Sequence, residues 1–136
     1  MSPSRLMLWL VLLATVVAAI PAFPQAGEKK YNIPFNFNIG KEVRPAGPYV
    51  VVSVFGSSLL IRRADGTRAI VVSSMARESP DRSSSSKLVF RRYGNKCFLS
   101  EVWLGLSTGR ELFPSDEEKE MARNSKSQDQ VIVAEK

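Results

Sequence analysis

Histidine is absent from the 136 residues of this chain, and cysteine occurs once, at Cys97. A single cysteine cannot form an intramolecular disulfide, and without histidine it cannot form a Cys–His nucleophile pair. The usual zinc sites draw on several Cys and His ligands and are excluded as well. We therefore expect no metal and no cofactor, and we expect Cys97 to be a small buried apolar residue.

Concentrated basic charge is also lacking. The chain has 19 Lys and Arg against 13 Asp and Glu, and the basic residues are scattered, with short pairs at Lys29-Lys30, Arg62-Arg63 and Arg91-Arg92. A nucleic-acid module usually concentrates such charges on one face beside base-stacking aromatic residues. The sequence therefore predicts no nucleic-acid partner, and the modest positive excess favours at most weak adhesion to anionic surfaces.

One long apolar run is present, at the N-terminus, where Arg5 is followed by residues 6–20 without a charge. A basic start, a short apolar core and a region of small residues are typical of a secretory signal peptide. The alternative is a membrane anchor, but the run is shorter than the ~20 residues that a spanning helix needs. We expect residues 1–26 to be a signal peptide, cleaved between Ile20 and Gly27.

Cleavage would place the mature protein in the periplasm or outside the cell, with no stable membrane span. Removal of Arg5 leaves 18 basic against 13 acidic residues, which is a net charge of +5. That compartment permits disulfides, but a chain with one cysteine cannot form one within itself. The fold therefore has to depend on its hydrophobic core alone.

Two β-rich runs flank Gly94-Asn95 between Lys87 and Leu104. Gly as the first of two loop residues favours a type II′ hairpin turn, and a three-residue loop through Lys96 is the alternative. The two-residue loop predicts four cross-strand pairs: Phe90 with Leu99, Arg92 with Cys97, Val89 with Ser100, and Arg91 with Phe98. Neither face of this hairpin is cleanly apolar, which favours a barrel or a helix-covered sheet over an open sheet with one wet side.

Apolar residues bounded by turn residues predict further strands. They are Tyr31–Ile39, interrupted by Pro34; Pro48–Phe55; Leu59–Arg63; Arg68–Ser73, after an Asp65-Gly66 turn; and Val131–Val133, with a frayed end as its alternative. The serine-rich stretch from Met75 to Ser86 is predicted to be a mobile loop, and Gly105 to Phe113 a second link.

Composition changes again over Ser115–Asn124, which is charged and predicts a short helix. Ser115 and Glu118 match a capping box, and the acidic residues of the first turn suit the positive end of the helix dipole. The sequence therefore predicts one mainly antiparallel β domain over residues 27–136, a barrel or a sandwich, with a short C-terminal helix.

Catalytic chemistry without histidine would depend on carboxylates. Glu101 is the candidate, because strand alternation places it with Leu99 and Trp103 on an inward face, and Arg92 shares that face in the two-residue register. A carboxylate-dependent hydrolase using Glu101 is therefore the alternative function. A structural ion pair explains the same pattern.

A non-enzymatic binding or structural module of the cell envelope is the preferred function. Arg91, Arg92 and Tyr93 at the hairpin end, together with Glu101 and Trp103, are the candidate binding residues, because planar charge beside aromatic rings is common in recognition. The partner would be a protein, a glycan or an anionic envelope ligand. The alternative is that Tyr93 and Trp103 belong to the core.

Several segments together resemble a known family. They are Phe35-Asn-Phe-Asn-Ile-Gly, Pro45-Ala-Gly-Pro-Tyr, Leu60-Ile-Arg, Lys87-Leu-Val-Phe-Arg-Arg-Tyr-Gly, Phe98-Leu-Ser-Glu-Val-Trp and Gly109-Arg-Glu-Leu. The chain looks like a member of a family of small exported bacterial β-rich proteins without assigned activity. The resemblance implies export and a compact β-rich fold, and it implies no reaction, substrate or catalytic residue.

Overall fold

The computed structural model of the protein describes residues 28–79, 85–105, 108–125 and 127–136. The predicted signal peptide and the centre of the serine-rich stretch lie outside the described residues. The elements in these ranges, in chain order, are β1 (Lys29–Ile33), β2 (Phe37–Ile39), β3 (Glu42–Arg44), β4 (Gly47–Val54), β5 (Ser58–Arg63), β6 (Ile70–Glu78), β7 (Lys87–Tyr93), β8 (Lys96–Trp103), β9 (Thr108–Leu112), α1 (Asp116–Asn124) and β10 (Asp129–Ala134).

The strands pair in the order β1-β4-β5-β6-β9-β8, and β8 also pairs with β7. Strand β10 pairs with β7, and the small β2–β3 hairpin joins β8 through the parallel pairing of β2. Within the described residues the sheet is not closed by a continuous ladder. The prediction of a mainly antiparallel β domain with a C-terminal helix is confirmed, whereas closure into a barrel is not.

Two predicted connections contain strand residues. Strand β6 pairs with β5 over Ile70–Ser73 and with β9 over Ser74–Glu78, so it runs four residues into the predicted loop. Strand β9 itself lies in the segment predicted as a link. The loop prediction is wrong over Met75–Glu78 and the link prediction is wrong over Thr108–Leu112, because backbone hydrogen bonds hold these residues in the ladder. Their mixed side chains carry no clear apolar alternation that would reveal it.

The main core lies between the strands, and it is formed by side chains that alternate along each strand. Its buried members are Tyr31, Ile33, Phe37, Ile39, Tyr49, Val51, Leu59, Ile61, Leu88, Phe90, Cys97, Leu99, Val102 and Leu112. Phe37 packs edge-to-face against Tyr49 and Phe90, with ring centroids 5.0 and 5.5 Å apart. Burial of Cys97 agrees with the prediction, and it raises the pKa of the thiol.

Pro34 divides the first predicted strand in two. β1 ends at Ile33 and β2 begins at Phe37, because proline has no backbone N–H for the ladder. β1 then pairs with β4, whereas β2 pairs with β3 and β8. The alternating apolar pattern survives the break, since Ile33 and Phe37 are both buried in the main core.

The β7–β8 hairpin has the predicted two-residue loop, since Tyr93 pairs with Lys96. Phe90 pairs with Leu99 as expected, but Val89 pairs with Glu101 instead of Ser100. Ser100 is therefore the extra residue of a β-bulge. A bulge shifts the alternation of the residues that follow it, and every side chain beyond it changes face.

Helix α1 begins as predicted. Ser115 is the N-cap residue, and its hydroxyl oxygen accepts a hydrogen bond of 3.2 Å from the backbone N–H of Glu118. The Glu118 side chain is buried although it is charged. The helix therefore directs one carboxylate toward the sheet, where it requires partners.

Candidate functional site

The bulge at Ser100 collects most of the predicted binding residues on one face of the hairpin. In β7, Leu88 and Phe90 belong to the main core, so alternation turns Val89, Arg91 and Tyr93 to the opposite face, called here the helix-side face. In β8, Glu101 pairs with Val89 and therefore lies on the helix-side face as well.

Trp103 follows Glu101 onto the helix-side face, because it lies two residues further along β8 and pairs with Lys87. The predicted inward placement of Glu101 beside Leu99 is wrong, since the bulge separates them. Leu99 lies in the main core, and so does Val102.

Arg92 lies apart from the other predicted residues. It pairs with Cys97 across the hairpin as expected, and its exposed guanidinium group donates a hydrogen bond of 3.0 Å to Asp129 of β10. The expected pairing of an arginine with Glu101 is made by Arg77, not by Arg92. The structure therefore brings Arg91, Tyr93, Glu101 and Trp103 to one face and leaves Arg92 outside that group.

A connected series of ion pairs crosses the helix-side face. Arg77 of β6 contacts Glu101 and lies 3.5 Å from Glu111 of β9, and Arg91 lies 3.1 Å from Glu111 and 3.4 Å from Glu118 of α1. These five residues are called here the helix-side network. It joins β6, β7, β8, β9 and α1. Ion pairs between alternating acidic and basic side chains therefore connect the helix to four strands.

The order of charges in the helix-side network has a physical reason. Glu101 and Glu111 are direct cross-strand neighbours, and like charges in that position repel each other. Arg77 contacts both carboxylates, and Arg91 contacts Glu111 from the other side. Two guanidinium groups thus compensate for carboxylates that the strand register brings together.

Glu101 has both carboxylate oxygens occupied. One accepts from the Arg77 guanidinium group, and the other accepts a hydrogen bond of 3.1 Å from the Trp103 indole N–H. The residue is only 8% exposed. A carboxylate held in this way is oriented by protein groups on both sides, as structural buried acids commonly are.

The indole ring of Trp103 lies close to Gly109 in the neighbouring strand β9. A Cβ atom built on Gly109 would lie 2.5 to 2.7 Å from three atoms of the indole ring, which no real Cβ does. Trp103 is 5% exposed. Gly109 is required here because only a residue without a side chain lets the ring approach the strand so closely.

Sequence reasoning missed Arg77, Glu111 and Gly109 as parts of this site. Arg77 lies in the segment predicted as a loop, and the other two lie in the segment predicted as a link. The one sequence feature that points to Gly109 and Glu111 is their position in a segment that carries the family resemblance. That feature does not reveal which strands pair with the segment.

Tyr93 connects the helix-side network to the hairpin turn. Its hydroxyl group donates a hydrogen bond of 3.3 Å to Glu118, and its ring packs against Phe98 with centroids 5.9 Å apart. Burial raises the pKa of the Tyr93 hydroxyl, and the negative charge of Glu118 raises that pKa further. The hydroxyl is therefore kept protonated as a donor to the buried carboxylate.

A pocket of about 440 Å³ lies between the hairpin turn and helix α1. The turn and the second half of the helix both contribute to its lining, which is formed by Tyr93, Gly94, Asn95, Glu117, Glu120, Met121, Asn124 and Ser125. Of the predicted binding residues, Tyr93 is the one that lines it.

Two kinds of site are not found among the described residues. In those ranges, no group of three or more His, Cys, Asp or Glu side chains is arranged to hold a metal ion. Over the same part of the chain, no helix has the length and apolar character needed to cross a membrane.

A scan against protein-family models gives no match to this chain, and searches of curated proteins and of solved structures also find no similar protein. The family resemblance described above therefore stays a prediction.

Proposed function

We propose that the protein is a non-enzymatic binding module of the cell envelope, and that it binds its ligand in the pocket between the β7–β8 turn and helix α1. The observation that carries the proposal is the pocket itself, because it adjoins the hairpin end that the sequence selects and has Tyr93 and Met121 in its lining. Concave sites with apolar walls and a few polar groups are typical of ligand binding.

The helix-side network supports this proposal as a rigid base for the pocket. Tyr93 is held by Glu118, which in turn is held by Arg91 and, through Glu111, is linked to Arg77. Binding sites on strands and helices whose side chains are locked by neighbouring contacts are more exact than sites on free loops. The arginines of the network act as supports in this proposal, because their charges are already paired.

We further propose that the domain is a barrel completed by β10 and β1. Tyr31 and Glu135 form an isolated bridge, and the backbone N–H of Lys136 donates a hydrogen bond of 3.0 Å to the carbonyl of Lys30. These contacts link the last strand of the pairing series to the first. Slow exchange of the Lys136 amide hydrogen would support closure, and exchange at the rate of a free chain end would contradict it.

A hydrolase that uses Glu101 is the less favoured alternative. Both oxygens of that carboxylate accept hydrogen bonds from protein groups, and the sequence has no histidine to act as a partner base. If the protein hydrolyses a substrate and a folded Glu101→Gln variant does not, the result would favour the enzyme and contradict the proposal.

Export is tested separately from binding. The basic start and short apolar run at the N-terminus support it, and they predict a mature protein that starts between Ile20 and Gly27. N-terminal sequencing of protein recovered from outside the cytoplasm checks the start. An intact Met1 in a membrane pellet would contradict both cleavage and export.

Binding is tested with the purified protein on arrays of envelope glycans and on envelope extracts. Asn95→Trp places a large ring at the pocket, and Asn32→Trp is the matched control, since Asn32 is an exposed residue of β1 that does not line the pocket. We expect the control and the unsubstituted protein to retain a ligand that Asn95→Trp loses. Equal retention by all three proteins would rule out the pocket.

A double variant tests the surface that the sequence suggests. Arg91→Ala together with Arg92→Ala removes the two adjacent charges of the hairpin end. If an anionic ligand binds there, its capture is lost in the double variant and kept in Asn95→Trp. The pocket proposal predicts that Asn95→Trp loses the ligand, whereas Arg92→Ala alone, which leaves the contact between Arg91 and Glu118 in place, retains it.

A further inference from the structure

The described side chains that line the pocket between the β7–β8 turn and α1 carry acidic groups and no basic ones. Among the described residues, the ionised side chains of the lining are Glu117 and Glu120, and no Lys or Arg of that part of the chain contributes to it. Lys96 lies 2.6 Å from the Glu117 carboxylate and compensates for that one charge. Within the described residues, the carboxylate of Glu120 has no ion-pair or hydrogen-bond partner, so its charge is available to a ligand.

The helix itself adds to the negative character of the pocket. Glu120, Met121 and Asn124 lie in the second half of α1, and Ser125 is its C-cap residue. The C-terminal end of a helix carries partial negative charge from carbonyl groups without intrahelical partners, and it favours cations. This contribution is independent of the acidic side chains.

The two arginines of the hairpin end are directed toward other carboxylates. Arg91 contacts Glu111 and Glu118, and Arg92 contacts Asp129. Neither guanidinium group lines the pocket, and Lys96 is already paired with Glu117, so an anionic ligand would meet the Glu120 carboxylate without a free described base beside it.

The remaining walls suit a ligand with an alkyl portion. Met121 is half-buried and flexible, and the Tyr93 ring forms an apolar wall beneath the turn. Thioether and aromatic groups are adaptable contacts for methylene and methyl groups, and aromatic rings attract cations electrostatically. A ligand that combines positive charge with short alkyl groups would use both parts of the lining.

We propose that the pocket binds a free small alkylammonium compound, with the positive nitrogen beside Glu120 and the alkyl portion against Met121 and Tyr93. This inference depends on the proposed function, because it names the ligand class of the same pocket. It differs from the anionic ligand that the arginine pair suggests, because the structure pairs those arginines with carboxylates.

The test uses three probes with the same alkyl chain and different charge: butylammonium, 1-butanol and butyrate. Each is titrated into the isotope-labelled protein at low salt, and the backbone amide signals of Gly94, Asn95 and Ser125 are followed by NMR. We expect butylammonium to shift these signals with saturation, butanol to shift them more weakly, and butyrate to leave them unchanged. Added salt should weaken the butylammonium titration because it screens exposed charges.

Variants identify the charge that is responsible. Glu120→Gln should weaken butylammonium binding roughly two- to fivefold, the size expected of one exposed ion pair. Glu78→Gln is the matched control, since it causes the same change of net charge in β6, which does not line the pocket, and it should leave binding unchanged. Both positions are exposed, so neither substitution is expected to disturb the fold.

The two proposals fail in different ways. If butanol or butyrate shifts the pocket signals as strongly as butylammonium, or if Glu120→Gln binds as tightly as the unsubstituted protein, the cation inference is overturned and the pocket remains a binding site. If none of the probes shifts the pocket signals while a glycan or extract component is lost in Asn95→Trp, the ligand class is likewise wrong. If the probes and the Asn95→Trp comparison both show nothing, the proposed function fails as well.

Discussion

Replacement of Trp103 by alanine tests whether the helix-side face is packed or open. Trp103 is 5% exposed, and its indole lies against Gly109 and donates a hydrogen bond to Glu101. An aromatic side chain of this kind buries roughly 150 to 250 Å². At about 25 cal/mol per Å², that area corresponds to ~4 to 6 kcal/mol of transfer free energy.

The expected loss of unfolding free energy is smaller than this transfer free energy. Unfolded chains already bury part of their apolar surface, which lowers the contribution to roughly 3 to 5 kcal/mol. Large-to-small substitutions of buried aromatic residues cost about 3 to 5 kcal/mol by measurement, which agrees. We therefore expect Trp103→Ala to lower the free energy of unfolding by about 3 to 5 kcal/mol, out of the roughly 5 to 15 kcal/mol typical of a domain.

The assay is urea unfolding followed by far-ultraviolet circular dichroism, because the substitution removes a fluorescent reporter. Trp103→Phe retains a ring but removes the donor to Glu101, and it should cost roughly 1 to 3 kcal/mol. Phe55→Ala is the control, since Phe55 is 97% exposed, and it should change stability by about 0.5 kcal/mol or less. A loss below about 1 kcal/mol for Trp103→Ala, at unchanged denaturant dependence, would show that the indole is an exposed patch.

Three further predictions concern the same face and the buried hydroxyl groups. Gly109→Ala should cost about 1 to 3 kcal/mol, because its Cβ would displace the indole ring, and a double-mutant cycle should show that cost disappearing in the Trp103→Ala background. Glu118→Gln should cost about 1 to 3 kcal/mol in urea unfolding, because it removes the charged acceptor of the Tyr93 hydroxyl. Burial raises the pKa of Tyr31 and of Tyr93 in the folded state, so the folded protein holds these protons to higher pH than the unfolded chain does, and stability should fall as the pH rises through about 10. Unfolding curves that do not change between about pH 8 and about pH 11 would contradict that sign.

The local features of the chain could be predicted because their signals are local. The turn at Gly94-Asn95 follows from the conformations open to glycine, and the start of α1 follows from the capping geometry of Ser115 and Glu118. The alternating apolar residues between Tyr31 and Ile39 predict strand structure, and Pro34 marks the point at which one strand ends and the next begins. Each of these depends on interactions within a few residues.

Predictions of segments without such a signal were wrong. The end of β6, including Arg77, and the whole of β9 are strands because neighbouring strands supply their hydrogen-bond partners. Their polar side chains resemble those of connecting segments. No local preference distinguishes a polar residue in a ladder from a polar residue in a loop, since the ladder is a property of two strands together.

The composition alone determined which chemistries are excluded, because a chain without histidine and with a lone Cys97 cannot form the usual zinc sites or a Cys–His pair in any fold. The identity of the candidate site was decided by tertiary structure. One extra residue, Ser100, turns Glu101 and Trp103 to the face that carries Arg91 and Tyr93. The packing of β6, β9 and α1 against this face then brings Arg77, Glu111 and Glu118 to the same site. The face of the sheet to which a side chain points depends on the number of residues that separate it from a cross-strand pair. A bulge adds one residue to that number, and no local sequence pattern shows where the bulge lies.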